Sequence, residues 1–118
     1  MVTKFEDLEV WKESMQLTEL VYGSLQNCKD FGFKDQIQRA SVSVPSNIAE
    51  GFDRNSNKEF IRFLFIAKGS CSEVRTQLYL AIRLGFIHME KGNDLIEKTR
   101  KISSMLYRLI DTRQSKFK

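Results

Sequence analysis

The sequence predicts an all-α protein, an antiparallel up-down-up-down four-helix bundle, and three observations carry that prediction. Apolar residues recur at three- and four-residue steps in four separate segments, as in helices that bury one face. No segment alternates apolar and polar residues, and no Asn-Gly or Asp-Gly pair marks a hairpin. The breaks between segments are short, which makes consecutive helices antiparallel neighbours.

A first helix is expected over about residues 5–28, where Leu8, Trp11, Met15, Thr18, Tyr22 and Leu25 form a stripe that Val10, Leu17, Val21 and Cys28 widen. Lys29 to Gly32 interrupt it. A second helix, over about 33–53, carries Ile37, Ala40, Val44 and Ile48 inward. The third, over about 56–85, opens on Ser56 with Glu59 three residues later, the spacing of a capping box. Phe60, Leu64, Ala67, Cys71, Val74, Leu78 and Ala81 then follow in heptad steps until Gly85. His88 to Asn93 read as a turn. A fourth helix, over about 93–112, has Leu95, Thr99, Ile102, Leu106 and Leu109 on its stripe and ends in a short basic tail.

A chain of 118 residues is one domain's worth. Apolar residues make up 42% and charged residues 29%, the balance of a globular protein. The net charge of +4 permits an anionic partner without requiring one. The opening MVTKFEDLEVW has acidic residues and no uninterrupted apolar run, so neither a signal peptide nor a membrane anchor is expected and the location is cytoplasmic. Cys28 and Cys71 fall at apolar helical positions without metal spacing, as buried free thiols do.

RASVSVPSNIAEGFDRNS, residues 39–56, holds the only proline of the chain. Proline inside a helix removes a hydrogen bond to the carbonyl four residues back, here that of Ser41, at a cost of about 3 kcal/mol. The apolar pattern resumes at Ile48, so a continuous, kinked helix is expected, with the Ser41 and Ser43 hydroxyls serving the freed backbone groups. Antiparallel pairing about a turn centred near Asn55 sets Ala40 and Ser41 against Gly69 and Ser70, a contact of small residues in which a mid-helix glycine is tolerated. The same arithmetic brings Arg39 beside Glu73 as an interhelical ion pair. Asn47, Glu50 and Arg54 share one face at helical steps; they form either a structural polar network or a site for a small anion.

The third helix is apolar on more than its inner stripe. Phe63, Ile66, Leu80 and Leu84 cover a second side, and Ile61, Phe65 and Tyr79 a third. Such a helix needs burial beyond its own bundle, and self-association supplies it; Ile61, Phe65 and Tyr79 are the candidate interface.

NIAEGFDRNS and EFIRFLFIAKGSCSE, with LEVWKES and QIQRASVSVPS before them, resemble the bacterial four helix bundle protein family, also called 23S rRNA intervening-sequence proteins, over nearly the whole chain. The family's motif positions fall on Arg39, Pro45, Asn47, Glu50, Gly51, Arg54, Phe63, Ala67, Gly69, Ser70 and Glu73. Cys71 and Arg75, between motif positions, are small departures. The resemblance implies an antiparallel bundle assembled as a ring-like homopentamer. Some members are encoded within insertions in large-subunit rRNA genes, and a related retroelement accessory protein binds nucleic acid and a reverse transcriptase.

Two functions from different classes follow. One is an oligomer that binds RNA or DNA through exposed basic residues: Lys68, Arg75 and Arg83 on the third helix, Lys98, Lys101 and Arg108 on the fourth, and Arg113, Lys116 and Lys118 beyond. A basic residue every turn or two is equally the pattern of a solvated helix face. The other is a scaffold whose partner is another protein. An enzyme is disfavoured: the single His88 lies in a turn, Ser41, Ser43 and Ser46 have no histidine base nearby in sequence, and no ligand cluster implies a metal or other cofactor.

Overall fold

A computed structural model describes residues 2–116, the side chain of Lys116 excepted. A turn of 3-10 helix, Phe5–Asp7, precedes four helices: α1 (Glu9–Ser24), α2 (Phe31–Phe52), α3 (Asn57–Arg83) and α4 (Met89–Lys116). They pack as an elongated all-α bundle, 46 × 20 × 19 Å, in which α2 meets α3 most extensively and α1 closes against both α2 and α4. Residue numbers run in opposite directions across the α2–α3 seam, where Ser43 meets Ser70 and Gly51 meets Phe63. They do so again across α3–α4, where Asn57 meets Arg113 and Gly92 meets Ile82.

The first helix is shorter than the apolar pattern implies. Leu8 is extended, with ψ 124°, which separates the opening turn from α1. Its buried residues are Val10, Ser14, Leu17 and Val21, while Met15 and Tyr22 of the expected stripe are exposed. Asp30 then accepts a hydrogen bond from the Phe33 backbone N–H at 3.1 Å and starts α2 at Phe31, ahead of the expected position.

Helix α2 is continuous through the buried Pro45. The carbonyl that the proline leaves without its helical donor is that of Ser41, and the Thr18 hydroxyl of α1 donates to it at 2.9 Å. Thr18 Oγ1 also lies 3.0 Å from the Ser14 carbonyl, so its single proton serves two acceptors in a three-centre arrangement. The compensation is therefore not local, contrary to the sequence expectation: Ser41 Oγ donates to the Gln38 carbonyl, and Ser43 Oγ pairs with Ser70.

Asn55, with φ 58°, turns the chain into α3, and Ser56 caps it by accepting from the Glu59 N–H at 3.2 Å. All seven residues of the expected heptad stripe are buried. The helix ends on Gly85, whose φ of 77° suits a residue without Cβ, with Phe86 N–H bonding back to the Ala81 carbonyl.

Helix α4 begins at Met89 and not near residue 93, because the segment read as a turn is its first turn: Gly92 N–H bonds to the His88 carbonyl at 2.9 Å. Gly92 is buried, and any side chain there would collide with Ile82, so the glycine serves close α3–α4 packing. At the other end the expected tail is helical to Lys116; Lys118 lies outside the described residues. Cys28 and Cys71 are buried and unpaired with each other, and the free-thiol reading fits them.

Candidate functional site

Three places hold the residues that the sequence singles out. The first is the α2–α3 seam. A Cβ on Gly51 would collide with the Phe63 side chain, so this glycine is where the two backbones come close. Gly69 is not: it is exposed, and a Cβ there would meet nothing within 4 Å. Pairing is displaced by nearly a turn from the expected register. Ser41 faces α1 through Thr18, Ala40 is buried in the core, and Ser43 takes the position opposite Ser70 at 2.8 Å. Arg39 accordingly pairs with Asp35 of its own helix at 2.8 Å, while Glu73 is exposed and the expected Arg39–Glu73 pair is absent among the described residues.

The polar residues of this seam form two groups in place of one network. Asn47 Nδ2 donates to the Ser43 carbonyl at 2.8 Å and lies 2.9 Å from Ser43 Oγ, joining the Ser43–Ser70 pair. Lower down, Arg54 meets Glu50 at 2.7 Å and Glu59 at 3.7 Å, and Glu59 takes two bonds from Arg62 at 3.0 and 3.1 Å. Both guanidinium groups lie over the Phe63 ring, 4.9 and 4.7 Å from its centroid, a stacked cation–π arrangement. The hydrogen bond from Arg62 holds the Glu59 carboxyl below its ordinary value and raises the guanidinium in return.

The basic residues divide by location. Lys98 bonds to Glu13 at 2.9 Å and Gln16 at 2.8 Å, and Lys101 reaches Glu13 at 3.5 Å. The Lys98 hydrogen bond keeps Glu13 below the ordinary carboxylate range against the opposing effect of burial. These two lysines tie α4 to α1. Arg75 bridges to Thr99 Oγ1 at 3.0 Å and Ser103 Oγ at 2.8 Å, beside Cys71, whose thiol burial pushes up. Next to Arg75, a hollow of about 400 Å³ between α3 and α4 is lined by Lys68, Ser103, Ser104, Tyr107 and Arg108. Arg83 lies by Thr76, Tyr79 and Leu80, and the Arg113 guanidinium covers the Phe60 ring at 4.8 Å. The side chain of Lys116, like Lys118, lies outside the described residues. Arg100, which the sequence reading passed over, donates to Tyr79 Oη at 2.9 Å and pairs with Glu97 at 3.1 Å.

The third place is the outward face of α3. Phe65 (52%), Ile66 (41%), Tyr79 (40%), Leu80 (44%) and Leu84 (58%) all keep large fractions of their surface in contact with solvent. They form two apolar ends about 20 Å apart along the helix, with the exposed Gly69, Ser72, Glu73 and Thr76 between them. Ile61 departs from this group: it packs against the core and lines a hollow with Asp111 and Arg113 of α4. Ile66, Leu80 and Leu84, which the sequence places on a second side of α3, join Phe65 and Tyr79 instead.

Among the described residues no group of three or more His, Cys, Asp or Glu is placed to hold a metal ion, and no helix is long and apolar enough to cross a membrane. The family model for 23S rRNA-intervening sequence protein matches residues 6–108. A crystal structure described as a protein with unknown function from the S23 ribosomal protein family, from Bacteroides thetaiotaomicron VPI-5482, is 26% identical, with a TM-score of 0.80 over 86% of this chain and 97% of that one. Comparison with the curated proteins finds no match.

Proposed function

The chain belongs to the 23S rRNA-intervening sequence protein family, and from that premise we propose that it is a non-catalytic cytoplasmic protein that acts by assembling with copies of itself through the outer face of α3. The single domain is an up-down-up-down bundle, and the assembly is the ring-like homopentamer that the family resemblance implies. One observation carries the reading: α3 and its C-cap Leu84 leave five large apolar side chains each 40–58% exposed, more than any other helix among the described residues. Two groups of exposed large apolar side chains on one face favour association. Charging it should break the assembly. Phe65→Lys with Leu80→Lys is expected to leave helicity intact by circular dichroism and to reduce the light-scattering mass to that of a monomer; an unchanged mass would place the interface elsewhere.

A second activity on the same assembly, nucleic-acid binding, is supported by the α3–α4 hollow. Lys68 and Arg108 stand there with the Tyr107 ring, 62% exposed, and neither has a carboxylate partner among the described residues. Cations beside an exposed aromatic ring suit a phosphate backbone and a stacked base. The names of the family and of its Bacteroides relative refer to ribosomal RNA and to a ribosomal protein family, which accords with an RNA partner. Binding would be weakly sequence-specific and would fall steeply with salt. Lys68→Glu with Arg108→Glu should abolish retention of an unrelated RNA at low salt while preserving the oligomer. If the parent retains no RNA at low salt, the role is that of a scaffold for another protein.

A further inference from the structure

At one end of the bundle, the α1–α2 connection and the α3–α4 turn flank a half-open cavity of about 730 Å³, a volume suited to one small molecule. Its apolar wall comes from Ile82, Phe86 and Ile87, and Phe86 is fixed by a tilted contact with Phe33 at 5.2 Å. Its polar wall carries two cations, Lys29 and Lys91, with His88 on the same turn as Lys91, and no lining residue carries a carboxylate. Two carboxylates adjoin lining residues in sequence: Asp30 is occupied in capping α2 through Phe33 N–H, and Glu90, between Met89 and Lys91, is exposed and is not among the lining residues. The first turn of α4 opens here as well, so its amino-terminal N–H groups add positive potential. The opposing carbonyl end of α1 is partly answered by Lys34, which donates to the Gln26 carbonyl at 3.3 Å.

Within this wall Ser24 Oγ is fully buried and has no hydrogen-bond partner, although a hydroxyl in the last turn of a helix ordinarily bonds to a carbonyl of the preceding turn. We infer that this cavity binds a small organic anion, a carboxylate or phosphate head carried on an apolar body, with the head against Lys29 and Lys91 and the body against Ile82, Phe86 and Ile87. The site is independent of α3's outer face and of the α3–α4 hollow, and it assigns a ligand class that neither of those surfaces implies.

The test titrates octanoate, octyl phosphate and octanol into the full chain at up to millimolar concentration, followed by the methyl NMR signals of Ile82 and Ile87. The expected result is saturable shifts at these residues with at least one anion, and binding of the alcohol about tenfold weaker or more. The better of the two anions identifies the head. Lys29→Glu with Lys91→Glu should weaken anion binding by about tenfold or more. Both lysines are exposed, so the melting temperature and oligomer mass of the free protein should be unchanged. Lys68→Glu, in the other hollow, should leave binding untouched. Absence of saturable shifts with either anion, equal binding of octanol, or indifference to the charge reversal would each overturn the assignment; none of these results bears on the mass of the assembly.

Discussion

The α2–α3 seam and the outer face of α3 lie on adjacent sides of one helix and resolve opposite problems. In the seam, residues that attract notice as chemistry are consumed by the fold: Asn47 by Ser43, Arg54 by Glu50, and the carbonyl released by Pro45 by Thr18. On the outer face, residues that belong in a core are left in solvent, Leu84 and Phe65 above all. Polar residues in an unusual pattern thus serve architecture here, and the exposed apolar residues are what support the proposed assembly. Buried polar groups find partners within the chain, whereas exposed apolar area can be covered only by another molecule.

The sharpest break in this contrast is between two glycines on its two sides. Gly51→Leu should destabilise by about 3 kcal/mol, because the new side chain has the Phe63 and Phe60 side chains in its way. Gly69→Ala, facing open space, should stabilise the chain by up to about 1 kcal/mol through helix propensity alone. Thermal or urea melts of the two variants decide the point, and equal destabilisation would return Gly69 to the packed seam.

Thr18→Val should cost about 1–3 kcal/mol, since it orphans the Ser41 carbonyl. Pro45→Ala restores a backbone donor to that carbonyl, so in the Pro45→Ala background the same change should cost less. A double-mutant cycle with no coupling would show that Thr18 does not compensate for the proline.

Glu13 offers a pH-dependent test on the side away from both regions. Its folded carboxyl is held below the ordinary value of 4.5 by the Lys98 hydrogen bond, so the stability it adds is fully present above that value and is lost as pH falls through the depressed folded one. Glu13→Gln should therefore lower stability by about 1 kcal/mol at neutral pH, and its difference from the parent should vanish at acid pH. A difference independent of pH would mean that the ion pair contributes nothing.

The smallest effect belongs to the pair that looked most like a site. Arg54 and Glu50 keep 45% and 53% of their side-chain surface exposed, so Arg54→Ala should cost about 0.5 kcal/mol or less. Asn47→Ala, at the half-buried Ser43–Ser70 junction, should cost about 1 kcal/mol. Their ranking by chemical denaturation separates a solvated surface pair from a seam contact.

Much of the fold was legible in the sequence because burial repeats with helical period. The α3 heptad and the Ser56 cap depend on neighbours within a few residues, and both appear as the pattern implies. What escaped depends on partners far apart in the chain. Thr18 cannot be matched to Pro45 without knowing how α1 lies against α2, and Gly92 reads as a turn until Ile82 is seen beside it. The register across α2–α3 was set by assuming a symmetric turn at Asn55. The observed contacts, Ser43 with Ser70 and Gly51 with Phe63, centre on residues 56–57 instead, which exchanges Ser41 for Ser43 and parts Arg39 from Glu73. The outer face of α3 was legible as excess hydrophobicity, but not its membership: Ile61 turns toward α4, and only the packed bundle shows it.

The account rests most heavily on the outer face of α3 being covered by further copies of the chain. Light scattering of the purified parent at micromolar concentration measures this directly. The predicted result is the mass of a pentamer, stable on dilution and insensitive to salt, as expected for an apolar interface. A monomer mass under the same conditions would contradict it, leaving Phe65, Ile66, Leu80 and Leu84 as a surface for some partner other than this protein itself.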